Sequence, residues 1–174
     1  MHPFADLCRW VEHHIETAYG IRIVTRDIPD PLTGDLNGAE IHIDCAVTPE
    51  QRFFLLAHLF GHTVQWNSDP AAFDLGRPQK PPVPADCLPA LIDYEREAAR
   101  YALALLHKLG ITETDQWFAD YAACDAAYLR HFYLTGEKRD FLSFWQDGTE
   151  PIEEIPIPPI DPVMRSFRSD GIVI

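Results

Sequence analysis

The chain has 174 residues, 47% of them hydrophobic, which is enough for one domain with a substantial core and too little for two comfortable ones. With 14 Lys and Arg against 27 Asp and Glu, the formal net charge is -13. That excess opposes the phosphate attraction behind non-specific nucleic-acid affinity, so direct DNA or RNA binding and adsorption to an anionic membrane are not expected.

The first predicted element is an amphipathic helix over 4–19. Phe4, Leu7, Cys8, Val11, Ile15 and Tyr19 follow the helical i, i+3, i+4, i+7 spacing, and Gly20 suits its end. Arg9 and Glu12 interrupt its apolar run and no small-residue cleavage site follows, so it does not read as a signal peptide. His13 and His14 are adjacent, point in different directions and read as surface residues.

Ile21 to Val24 and Ala39 to Asp44 alternate apolar and polar residues, as half-buried strands do, and are expected to pair. Asp30-Pro31, Thr33-Gly34 and Asn37-Gly38 supply turns between them, with room for another short strand. His42 falls on the polar side of its alternation and reads as exposed.

Thr48 as N-cap and Pro49 at the first helical position open a helix over 51–66 with apolar residues nearly all round, hence a buried one. A proline-rich loop is expected over 67–85, then helices over 89–109 and 114–133, and a short one over 141–145. From Pro151 the run Ile155-Pro156-Ile157-Pro158-Pro159-Ile160 cannot be helical and reads as an extended strap packed onto the body. No segment is long and apolar enough to span a bilayer. Cys8, Cys45, Cys87 and Cys124 form no C-x-x-C pair, so free thiols in a reducing cytoplasm are expected.

The chemistry concentrates on the buried helix. His58 and His62 lie four apart, so both imidazoles project from one face toward a common point, as ligands of one metal ion or as hydrogen-bonded core histidines. An unsatisfied buried polar group costs about 1–3 kcal/mol, so either way they need partners. The 89–109 helix offers a third ligand in Glu95 or Glu97, and two His with one carboxylate is an established zinc set. Glu97 sits three after Tyr94 and four before Tyr101, beside the apolar stripe of Tyr94, Ala98, Tyr101 and Leu105, which favours inward pointing.

Three segments in order, Gly38-Ala39-Glu40-Ile41-His42-Ile43, then Arg52-Phe53-Phe54-Leu55-Leu56-Ala57-His58-Leu59-Phe60-Gly61-His62, then Glu97-Ala98-Ala99-Arg100-Tyr101-Ala102, give the chain its resemblance to a family. It resembles the ImmA/IrrE zinc metallopeptidase-like domains over about 21–106, whose pattern is strand, R-F-x-x-A-H-E-x-G-H, then E-A-(N or D)-x-F-A. The resemblance implies a zincin-like metal-site helix and one zinc ion on His58, His62 and Glu97. Relatives are often linked to helix-turn-helix repressors, but no DNA-reading segment is recognisable in this chain.

Two departures define the functional question. Leu59 stands where the family has its catalytic Glu, and Ala99 where it commonly has Asn or Asp. Loss of a general base typically costs about 10² to 10⁴ in rate. Tyr121, Asp125, Tyr128 and His131 form a polar stripe at helical spacing, from which Asp125 or His131 is the candidate substitute base if that face meets the metal; a plain helix contact is the alternative.

The sequence reading is therefore a single α+β domain over 1–174: a small antiparallel or mixed sheet packed with several helices in a core over about 21–106, extra helices over 113–147 and a strap over 151–174. Its expected role is that of a degenerate, zinc-holding, cytoplasmic metallopeptidase-like protein that acts by binding a protein or peptide partner. The alternative is an active zinc-dependent peptidase or other hydrolase whose base lies outside the motif.

Overall fold

A computed structural model describes residues 3–29, 32–76 and 81–165. The order is α1 (Phe4–Tyr19), β1 (Arg22–Arg26), β2 (Gly34–Leu36), β3 (Glu40–Asp44), α2 (Pro49–Ser68), α3 (Pro70–Gly76), α4 (Leu88–Lys108), α5 (Asp115–Thr135) and a 3-10 turn at Phe141–Phe144. This is an α+β fold with a small mixed sheet packed on helices. The Asp30-Pro31 turn, Pro78 and the end of the strap beyond Arg165 fall outside the described residues.

The sheet runs β1-β3-β2, with β3 parallel to β1 and antiparallel to β2. Asn37 makes the β2–β3 turn: its Oδ1 accepts from the backbone N–H of Ala39 (3.0 Å) and Glu40 (2.8 Å), and Gly38 takes the φ of 91° that a side chain would resist. His42, expected exposed, is buried, because β3 is central and covered on both faces. Its Nε2 lies 2.9 Å from Glu40 Oε2, while Asp44 beside it accepts from the N–H of Ile28 and Ala46.

The Thr48 side chain accepts from the Gln51 N–H and the Gln51 side chain returns the bond to the Thr48 N–H, a reciprocal cap that starts α2. Phe53, Phe60 and Trp66 are fully buried, and each such side chain contributes roughly 1.5–3 kcal/mol by leaving water. Gly61 is where α2 meets α4: a Cβ there would overlap the Ala98 carbonyl and come within 2.9 Å of the Ala98 Cα. The 67–85 stretch is not all loop, since α3 forms within it. Asp69 starts α3 by accepting from the Ala71 N–H at 2.9 Å, followed by Pro70, the same cap-then-proline device that opens α2.

From Pro151 to Arg165 the chain is extended and lies on the body, with Ile152, Ile157 and Ile160 against the core. Arg100 Nε donates to the Glu153 carbonyl (2.8 Å), the Val163 N–H to Asn67 Oδ1 (2.9 Å) and the Arg165 N–H to the Asn37 carbonyl (2.7 Å). Just before it, buried Asp120 on α5 accepts from Thr149 Oγ1 (2.7 Å), the Thr149 N–H (2.8 Å), the Gly148 N–H (3.2 Å) and Gln116 Nε2 (2.9 Å). Burial alone would raise the Asp120 carboxyl, but these donors outweigh it and hold it below its ordinary value.

Asp120→Ala leaves the Gly148 and Thr149 donors without their acceptor and is expected to cost about 1–3 kcal/mol in urea unfolding. Because the folded carboxyl is the more acidic, its contribution is full above roughly pH 4 and disappears as pH falls through the lower folded value. The gap between wild type and Asp120→Ala should therefore narrow in strong acid. A gap independent of pH would sink this account.

Candidate metal centre

His58 and His62 project from α2 onto α4, where the carboxylate that meets them is Glu95. His58 Nε2 and His62 Nε2 each lie 3.0 Å from Glu95 Oε2 and 3.1 Å from one another. All three residues are buried, His62 completely. Each imidazole is held by an aromatic face, His58 stacking on Phe54 and His62 on Tyr94, with ring centroids 5.1 and 4.5 Å apart. The His pair thus lies as the spacing predicts, but the expected third member does not.

Glu97 is exposed and turned to another partner, accepting from Gln65 Nε2 at 2.7 Å. The reason is helical phase. Leu91, Glu95, Ala98 and Ala102 share the buried face of α4, whereas Tyr101, one of the residues that framed Glu97, is only half-buried.

The protons around the cluster are fixed by chemistry. Gln65 is buried, and its amide group also lies 2.9 Å from the Tyr94 carbonyl, so with Glu97 two acceptors require the NH₂ on that side. Gln65 Oε1 must then face His62 Nδ1, at 2.9 Å, and the Nδ1–H donates to it. In the neutral ring that leaves a bare lone pair on His62 Nε2, aimed at Glu95. Burial acts to raise the Glu95 carboxyl, but the adjacent His62 and His58 more than offset it and hold Glu95 well below the ordinary carboxylate range.

Three converging ligand atoms therefore share at most one proton, on His58 Nε2, when both rings are neutral. His58 Nδ1 is buried with no hydrogen-bond partner among the described residues. Such a donor set is short of positive charge and suits a cation. Tetrahedral zinc at about 2.0–2.2 Å from each atom needs separations of about 3.4 Å, so the triangle would have to open by about 0.3 Å. Two imidazoles and a carboxylate with converging ligand atoms could hold a metal ion.

The cluster has an open side. A cleft of about 480 Å³ between α4, α5 and the start of the strap reaches His58, Glu95 and Asp125, and a smaller one of about 200 Å³ reaches His58 and Asp125 from the side of Tyr121 and Tyr128. Ala99, Ala119, Ala122, Ala123 and Ala126 leave the larger space free, so the short side chain at position 99 is part of what makes the cleft.

Of the polar stripe on α5, Asp125 is the member that reaches the cluster, its Oδ2 standing 3.9 Å from His58 Nε2. Burial pushes its carboxyl up to about 7, with His58 opposing and Glu95 adding. Tyr121 is engaged with the Phe54 ring at 4.2 Å, Tyr128 lines the smaller cavity, and His131 packs on Phe144 away from the metal cluster. Leu59 is fully buried, lines neither cavity and points at β2, where a Cβ added to Gly34 would come 2.8 Å from its Cδ1.

Gln65 went unnoticed in the sequence, although it lies three after His62 and so on the same helical face. Comparisons of the chain with known protein families, with curated proteins and with solved structures gave no match. No helix among the described residues is long and apolar enough to cross a membrane.

Proposed function

We propose that this chain is a metallopeptidase-like protein of the ImmA/IrrE type that holds one zinc ion on His58, His62 and Glu95, has lost the motif base, and works in the cytoplasm by engaging a protein or peptide partner at the cleft. The observation that carries the metal reading is the convergence of three buried ligand atoms, each 3.0–3.1 Å from the others. Bound there, zinc would polarise a carbonyl oxygen presented in the cleft. The binding role is supported by Leu59, which packs under β2 and leaves the site without the group the motif normally supplies. Arg96, Arg100, Glu150 and Glu153 all line the cleft, which offers a peptide both charge signs along its walls. Protein purified without added metal should carry close to one equivalent of zinc by elemental analysis. Less than about one-tenth equivalent in folded protein would remove the metal reading.

One observation favours hydrolysis instead. Asp125 borders both cavities with its Oδ2 3.9 Å from His58 Nε2, a position from which a carboxylate is suited to take a proton from water in the cleft and return it to a leaving group. On a broad peptide library, cleavage that a chelator stops, and that both His58→Ala and Asp125→Asn abolish, would establish an enzyme. Absence of cleavage by zinc-loaded wild type is the result expected of a binding protein.

A further inference from the structure

We infer that Gln65 is a positioning residue of the metal centre, and that Glu97 serves the centre through Gln65 instead of as a ligand. This rests on the metal reading above. A histidine can coordinate through Nε2 only when its other ring proton is on Nδ1, and an acceptor opposite Nδ1 selects that form and fixes the ring. Gln65 supplies that acceptor, with its Oε1 at 2.9 Å from His62 Nδ1.

An amide is an ambiguous partner, because rotating it by half a turn would present NH₂ to the ring and demand the opposite tautomer. The ambiguity is removed from behind. Gln65 Nε2 lies 2.9 Å from the Tyr94 carbonyl and 2.7 Å from Glu97 Oε2, both acceptors, so the rotated amide would set its oxygen against both. The chain Glu97, Gln65, His62 therefore runs from an exposed carboxylate to a fully buried lone pair. His58 Nδ1 has no hydrogen-bond partner among the described residues, so the tautomer of the pair is set by hydrogen bonding on the His62 side only.

The test uses the full chain, ¹⁵N-labelled and metal-free, in long-range ¹H–¹⁵N correlation of the histidine rings. Wild-type His62 should show a protonated Nδ1 and a bare Nε2 before any metal is added. A protonated Nε2 with a bare Nδ1 overturns the proposal, and this reading needs no variant to fold.

Zinc titration of the same sample tests the metal reading separately, because failure to bind zinc leaves the tautomer result standing. In folded Gln65→Ala the Nδ1–H form should lose its dominance and the zinc Kd should rise about 10- to 100-fold. The paired change Gln65→Glu with Glu97→Gln keeps an acceptor on His62 Nδ1 but turns a carboxylate oxygen toward the Tyr94 carbonyl. It should restore the tautomer and only part of the affinity. Weakened zinc binding in Gln65→Ala with an unchanged His62 tautomer would reduce Gln65 to a packing residue and overturn the inference.

Discussion

In chelator, protein carrying Glu95→Gln should unfold earlier than wild type, and its affinity for zinc should fall by a factor on the order of 10² to 10³. Glu95 serves both states. In the metal-free protein it is a buried carboxylate that His62 and His58 hold below the ordinary carboxylate range, so the fold favours its charge. An amide there carries no charge to meet the imidazoles, so substitution removes that favourable contact. With zinc present the same carboxylate supplies the only negative charge among the three ligands.

His62→Ala behaves differently. It removes a ligand and also leaves the Glu95 charge less compensated in a dry position, which should cost about 3–5 kcal/mol in addition to the metal. Calorimetric zinc titration and urea unfolding in chelator check both variants. Glu95→Gln as stable as wild type in chelator would show that the imidazoles do not favour the carboxylate's charge.

Gly61→Ala should destabilise by about 3 kcal/mol, at or above the usual upper end for overpacking. The added methyl would collide with backbone at Ala98, and backbone cannot move aside by changing a rotamer. Relief requires α2 and α4 to separate. Against a total stability of roughly 5–15 kcal/mol, that is a large fraction. Urea denaturation with the midpoint lowered and the slope retained is the expected form. Gly61 lies between the two histidines and Ala98 three residues after Glu95, so zinc affinity should fall as well, by spreading the ligands and not by removing one. A variant of unchanged stability would mean that the two helices are free to part.

Much of the scaffold is legible before any coordinates. Phe4 to Gly20 gives α1 through spacing and a terminal glycine, and Thr48-Pro49 with Gln51 gives the start of α2, because helix periodicity and capping are local effects. What the sequence hides is relational. That β3 is central is decided by partners distant in sequence, so His42 reads as exposed though it is covered. The choice between Glu95 and Glu97 is one of helical phase: two positions apart means about 200° around the helix, and an aromatic neighbour that is itself half-exposed misplaces the buried face. The helix α3 is hidden because Pro70, which opens it, reads together with Pro78, Pro81, Pro82 and Pro84 as part of one proline-rich loop. Gln65 was overlooked because nothing in a glutamine's identity says which of its two ends will be used.

The extended segment that forms one wall of the cleft is fastened at several places along its length: at Asp120, at Arg100, and beyond these at Asn67 and Asn37. These partners belong to α5, α4, the end of α2 and the β2–β3 turn, so four separate parts of the body hold the segment. Local opening at any one of them leaves the wall beside His58 and Glu95 in place while the others still hold it.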